Sequence, residues 1–172
     1  MKASLRVLAI AAFLLGSLSL AHADTIFTAT LTGLGENPPN ASPATGFATV
    51  TLNSLETMIT VDMFWSGLSA PATASHLHGP AGPGVNAPVV FSLTGVSGFV
   101  SGSISGEVFA ITPTEVSWLE NGLMYVNIHT SVFPGGEIRG QLQPAVPEPA
   151  TLSLMGIGVA GLVARRRKRR TS

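Results

Sequence analysis

Residues 59–65 read Ile59-Thr60-Val61-Asp62-Met63-Phe64-Trp65, so that Ile59, Val61, Met63 and Trp65 alternate with Thr60, Asp62 and Phe64. Side chains along a strand point to opposite faces in turn, and this period of two marks a half-buried β-strand. Just upstream, Ala48, Val50 and Leu52 alternate with Thr49 and Thr51 in the same way. Working outward, Ile26–Leu31, Thr73–His78, Val89–Leu93, Phe99–Ile111, Met124–Thr130 and Ile138–Leu142 are further strand candidates, separated by Gly, Pro, Asn and Ser clusters. The longest has room to bend at Gly102 or Gly106. No stretch of ten or more residues among them carries an apolar i, i+3, i+4, i+7 stripe, so any helix is expected to be a single turn at most. Seven to nine short strands with frequent turns predict an all-β, antiparallel β-sandwich over residues 24–145. Those 122 residues suffice for one core.

Composition narrows the function classes. The chain has 172 residues, 45% of them hydrophobic and 10% charged, and it has no cysteine. Disulfides, thiolate metal sites and thiol nucleophiles are therefore excluded. The zero net charge hides a sorting of charges along the chain: Lys2 and Arg6 open it, Arg165–Arg170 nearly close it, and the segment 24–145 carries Arg139 alone against eight acids, a net charge of −7. Such a segment repels nucleic acid, and no nucleic-acid partner is expected.

Both ends read as export signals. Residues 1–23 combine a basic start, an apolar run from Val7 to Leu20 and the small-x-small sequence Ala21-His22-Ala23, the three parts of a signal peptide cleaved after Ala23. The Sec export machinery and signal peptidase are the partners this implies. Residues 146–172 contain Pro147-Glu148-Pro149, an apolar stretch Thr151–Ala164 and the run Arg165-Arg166-Arg167-Lys168-Arg169-Arg170. As a helix, that short hydrophobic stretch reaches about 21 Å, less than the roughly 30 Å hydrocarbon core, and suits transient membrane insertion better than a lasting transmembrane span. Clustered basic residues stay in the cytoplasm, which predicts an inner-membrane precursor with both ends inside and residues 24–145 outside. An ordinary C-terminal anchor would explain the apolar stretch and the arginines but not Pro147-Glu148-Pro149. The order of these parts resembles the PEP-CTERM sorting signal of Gram-negative bacteria. That resemblance implies recognition by an exosortase, a membrane cysteine protease, and delivery to the cell surface or an exopolysaccharide matrix.

Three histidines remain in the mature segment. His76 and His78 share one strand face because i and i+2 point the same way, while His129 shares a face with Asn127 and Tyr125. If the two strands approach, His76, His78 and His129 form a candidate zinc or copper site whose fourth ligand would be water, Glu137 or Glu36. The competing reading gives the rings a structural role, tying the Gly- and Pro-rich turn that begins at Gly79 through hydrogen bonds. Arg139 likewise has two readings: a contact for an anion or sugar, or a structural ion pair with a nearby carboxylate, for which Glu137 is the candidate. Walker A, HExxH and GxSxG motifs are all missing.

Phe27-Thr28-Ala29-Thr30-Leu31-Thr32-Gly33 leading to Glu36-Asn37-Pro38-Pro39, then Gly46-Phe47-Ala48, then Ala72–Ala81 with its His76-Leu77-His78, resemble the opening of a CHRD (chordin-like) domain. Tyr125–Thr130 followed by Phe133-Pro134-Gly135-Gly136-Glu137-Ile138-Arg139-Gly140-Gln141-Leu142 resemble its closing motif. The resemblance implies an extracellular β-rich module in which His76, His78, His129, Glu137 and Arg139 occupy motif positions. Together these readings predict an exported, non-enzymatic surface or matrix protein with no cofactor. The alternative is a histidine-based metal-binding protein or metalloenzyme.

Overall fold

The alternation at 59–65 is realised in the computed structural model, which describes residues 23–145. In β3 (Met58–Ser66), Ile59, Val61, Met63 and Trp65 are buried, and in β2 (Thr45–Leu52) Ala48, Val50 and Leu52 join them. The two strands form an antiparallel hairpin in unbroken register from Thr45 opposite Ser66 to Leu52 opposite Ile59. The remaining strands are β1 (Thr25–Thr32), β4 (Ala72–His78), β5 (Val89–Leu93), β6 (Gly102–Ala110), β7 (Tyr125–Thr130), β8 (Ile138–Gln141) and the two-residue β9 (Gln143–Pro144). Most of the signal peptide, including Ala21, and the whole sorting tail with Pro147, Glu148 and Pro149 lie outside the described residues; Ala23 is within them.

All pairings are antiparallel, and the order across the sheet is β5-β4-β7-β8-β1-β2-β3-β6, with β9 beside β1. One nine-stranded sheet thus folds over, and its two halves pack like sandwich layers around Phe27, Leu31, Val50, Val61, Leu77, Val126, Ile128 and Ile138. Its ends nearly meet. Leu68 N–H donates to Val100 O at 3.0 Å, Ala72 N–H to Phe99 O at 3.0 Å, and the Phe91 and Phe109 rings lie 5.0 Å apart.

The long strand candidate bends where expected. Opposite Asp62, β6 carries a bulge in which Gly106 takes a positive φ of 70°, and Asp62 Oδ1 accepts from Ser105 Oγ and Gly106 N–H. One expectation fails: α1 (Pro113–Glu120) is a helix of 8 residues, about two turns. Its start carries Thr112-Pro113-Thr114-Glu115, a capping box with proline in the first turn, a signal that a reading by apolar stripes passes over. Thr112 Oγ1 accepts from Glu115 N–H at 3.3 Å, and the Glu115 carboxylate accepts from Thr112 N–H at 2.8 Å. Caps and burial of Val116 and Leu119 hold a helix too short to show a stripe.

Strand β8 lies so close to β1 that a Cβ built on Gly140 would stand 2.5 Å from Thr30 O. Gly140→Ala is therefore expected to force the two strands apart and lower unfolding free energy by about 1–3 kcal/mol, read by chemical denaturation. An unchanged midpoint would show that this contact is not as tight as described.

Candidate functional site

Register builds a polar face across four strands. His76 pairs with Asn127, Asn127 with Arg139, and Arg139 with Thr32, while one step along His78 pairs with Tyr125 and Tyr125 with Gln141. The alternate residues Leu77, Val126, Ile128 and Ile138 point into the core. The segment 79–88, between β4 and β5, folds over this polar face, as Arg139 and His78 show by bonding its carbonyls.

The three histidines do converge. His76 Nδ1 lies 3.1 Å from His129 Nε2, and one ring nitrogen from each of His76, His78 and His129 falls within 4.8 Å of the others. His78 Nδ1 is 2.8 Å from Ala87 O and His129 Nδ1 is 2.9 Å from Pro134 O. A carbonyl oxygen only accepts, so both Nδ1 atoms carry the proton and the lone pair of each ring is on Nε2. His76 Nδ1–H then donates to His129 Nε2. Burial, followed by the neighbouring charges of His129 and His78, pushes the His76 pKa below its ordinary value. Burial also depresses His129, with the Pro134 carbonyl opposing and His78 adding to the depression. Both rings are held neutral near pH 7, the form that ligates metal. His78 Nε2 and Asn127 Oδ1 are buried without a hydrogen-bond partner among the described residues.

Arg139 and Glu137 are both buried, and the ion pair expected between them does not form. Glu137 accepts from Ser42 Oγ at 2.7 Å, Ser69 N–H at 2.8 Å, Ser69 Oγ at 2.9 Å and Thr130 Oγ1 at 2.7 Å. Burial pushes its pKa up, but these bonds outweigh it and hold the carboxyl below its ordinary value. With its oxygens so engaged, Glu137 is not free to ligate a metal. The Arg139 guanidinium donates to Asn86 Oδ1 at 3.2 Å and Val85 O at 2.9 Å, and its Cζ stands 3.4 Å from the centre of the Tyr125 ring. On the β4 side, His78 stacks on that ring at 4.7 Å with an interplanar angle of 3°. Tyr125 Oη accepts from Ala87 N–H at 3.1 Å, so one ring fixes both the histidine and the covering segment.

Glu36, the other proposed fourth ligand, is not part of the histidine group. It is buried beside a cavity of about 290 Å³ that Arg139 and Gln141 also line, and its Oε1 has no hydrogen-bond partner among the described residues. Burial raises its pKa to about 7 against the opposing pull of Arg139 and the Asn37 backbone. Sequence reasoning missed Ser42, Ser69 and Asn86 as partners of the buried charges. They lie in loops far away in the chain, and no local pattern marks them.

The profile of the CHRD domain matches residues 27–142, from β1 through the last residue of the closing motif. The chain belongs to the CHRD-domain family. A PEP-CTERM protein-sorting motif matches residues 145–169 of this CHRD protein and marks it as exported, processed by an exosortase and destined for the cell surface or the extracellular space. No curated protein and no solved structure matches it.

The raised pKa of Glu36 has a sign that can be checked. Between about 4.5, its ordinary value, and about 7, the folded protein keeps a proton that the unfolded chain has released. Stability from this group is full below 4.5 and is lost as pH rises to 7, by roughly 2–4 kcal/mol. Glu36→Gln is expected to remove that slope, so that the variant exceeds the wild type in unfolding free energy at pH 8 and not at pH 4. Parallel stability–pH curves would contradict the assigned environment.

Proposed function

We propose that this CHRD protein acts outside the cell as a non-enzymatic module, held at the surface by its sorting tail and associated with extracellular polysaccharide. The observation that carries this is where the chain enters and leaves the domain. Phe27 pairs with Pro144, and Ala145 N–H donates to Ile26 O at 2.8 Å, so the entry and exit segments run side by side at one pole. Two flanks that leave together suit an inner-membrane precursor with both basic ends inside and the domain outside, first handled by the Sec machinery and signal peptidase. The sorting motif begins at Ala145, directly after β9, so there is no spacer between the folded domain and the tail.

The surface supports the choice of partner. Among the described residues the one Arg is buried, whereas Asp24, Glu56, Asp62, Glu107, Glu115 and Glu120 reach the surface. That surface repels nucleic acid and anionic lipid and keeps the module soluble. On the outer face of β2, β3 and β6, the exposed Phe64 ring lies 6.0 Å from Phe47. Asp62, Ser103 and Ser105 share with these rings a shallow trough of about 450 Å³. Aromatic rings beside hydroxyl and carboxylate acceptors suit the apolar face and hydroxyl rim of a sugar ring.

Two measurements test this reading. Removing residues 146–172 is expected to shift the protein from the surface-bound to the soluble exported fraction; an unchanged distribution would contradict retention by the tail. Phe64→Ala, which alters an exposed side chain, is expected to reduce co-sedimentation with the producer's exopolysaccharide severalfold. Equal co-sedimentation would remove the trough from the account.

A further inference from the structure

We propose that His76, His78 and His129 bind one zinc(II) or copper(II) ion through three imidazole nitrogens, with a fourth position left to water or an external donor. This stands independently of where the protein is delivered. Bonds of about 2.0–2.1 Å in tetrahedral geometry place donor nitrogens about 3.3 Å apart. The three nitrogens lie within 4.8 Å of one another, and the His76 Nδ1–His129 Nε2 pair, at 3.1 Å, already stands near that spacing. Ala87 O and Pro134 O hold the Nδ1 protons of His78 and His129, which leaves the lone pair of each ring on Nε2; that of His129 accepts from His76 Nδ1–H in the metal-free protein and is released to an ion when the His76 proton moves to its own Nε2. Backbone carbonyls in that role orient ligating histidines and raise their basicity.

The orphaned atoms support a ligand rather than a purely structural cluster. Among the described residues, His78 Nε2 is a buried acceptor with nothing to accept, and Asn127 Oδ1, on the strand between His76 and Arg139, is in the same condition. Buried polar groups normally find partners, and a metal ion would satisfy His78 directly. An all-imidazole set without carboxylate or thiolate suits zinc and copper over calcium or magnesium. Hydrogen bonding of His76 to His129 satisfies only those two rings and leaves His78 Nε2 as it is.

Placement adds a consequence. His76 is level with Thr32 through the row His76, Asn127, Arg139, Thr32. Thr32 is seven residues along β1 from Thr25, or about 24 Å. The site therefore lies toward the pole opposite both chain ends, where an extracellular donor could reach the fourth position. His76 and His129 are half-buried, which gives an ion access.

The full-length chain, purified in mild detergent and freed of metal, is titrated with zinc(II) and copper(II) separately. One equivalent is expected to bind and to raise the melting temperature; the copper(II) form is expected to show electron paramagnetic resonance couplings from three nitrogens. His129→Gln is expected to weaken binding at least about tenfold and to reduce the couplings to two, while its metal-free melting temperature stays near that of the wild type. His76→Asn should behave alike, so a folding defect in one variant leaves the other as a test. Absence of saturable binding, or binding by both variants as tight as by the wild type, would overturn the proposal.

Discussion

Two opposite charges, Glu137 and Arg139, are buried two residues apart at the start of one strand and do not touch each other. Removing a charge from water costs several kcal/mol unless hydrogen bonds replace the lost hydration, so each must draw in partners of its own. Glu137 draws in Ser42 from the segment before β2, Ser69 from the β3–β4 loop and Thr130 at the end of β7. Arg139 draws in Val85 and Asn86 from the β4–β5 segment. Three loops are thereby tied to β8, and the polar face takes its form from those ties.

The same constraint reaches the histidines. The covering segment that Arg139 holds also brings Ala87 O to His78 Nδ1, and the Tyr125 ring between His78 and Arg139 transmits the placement across the sheet. At His129, Pro134 belongs to the turn that leads into Glu137. The lone-pair directions in the cluster are thus set by neighbours whose own positions follow from burying two charges. The pole with both chain ends is a different region, governed by the pairing of β1 with β9, so attachment and the histidine face occupy separate parts of the domain.

Most strands were legible because one face of each is apolar and period two survives in the sequence, as at Ile59–Trp65 and Ala48–Leu52. The shared face of His76 and His78 followed from the same arithmetic. What could not be read was the pairing of β4 with β7, which brings His129 to them, because strand order depends on the whole chain and not on any local period. The Arg139–Glu137 pair was expected from residue type alone. It failed because three hydroxyl groups and a backbone amide from distant or flanking loops satisfy Glu137 more completely than one guanidinium would. Helix α1 was overlooked because its evidence is the cap at Thr112 and Glu115, not an apolar stripe.

The central claim is that Arg139 holds the segment over the histidine face. Backbone hydrogen exchange in the wild type and in Arg139→Met tests it directly, because Ala81, Val85 and Ala87 each donate an amide hydrogen bond within or from that segment. The account expects these three amides to exchange much faster in the variant, while Val50 and Val61 in the β2–β3 hairpin keep their protection. Unchanged protection of Ala81, Val85 and Ala87 would contradict it.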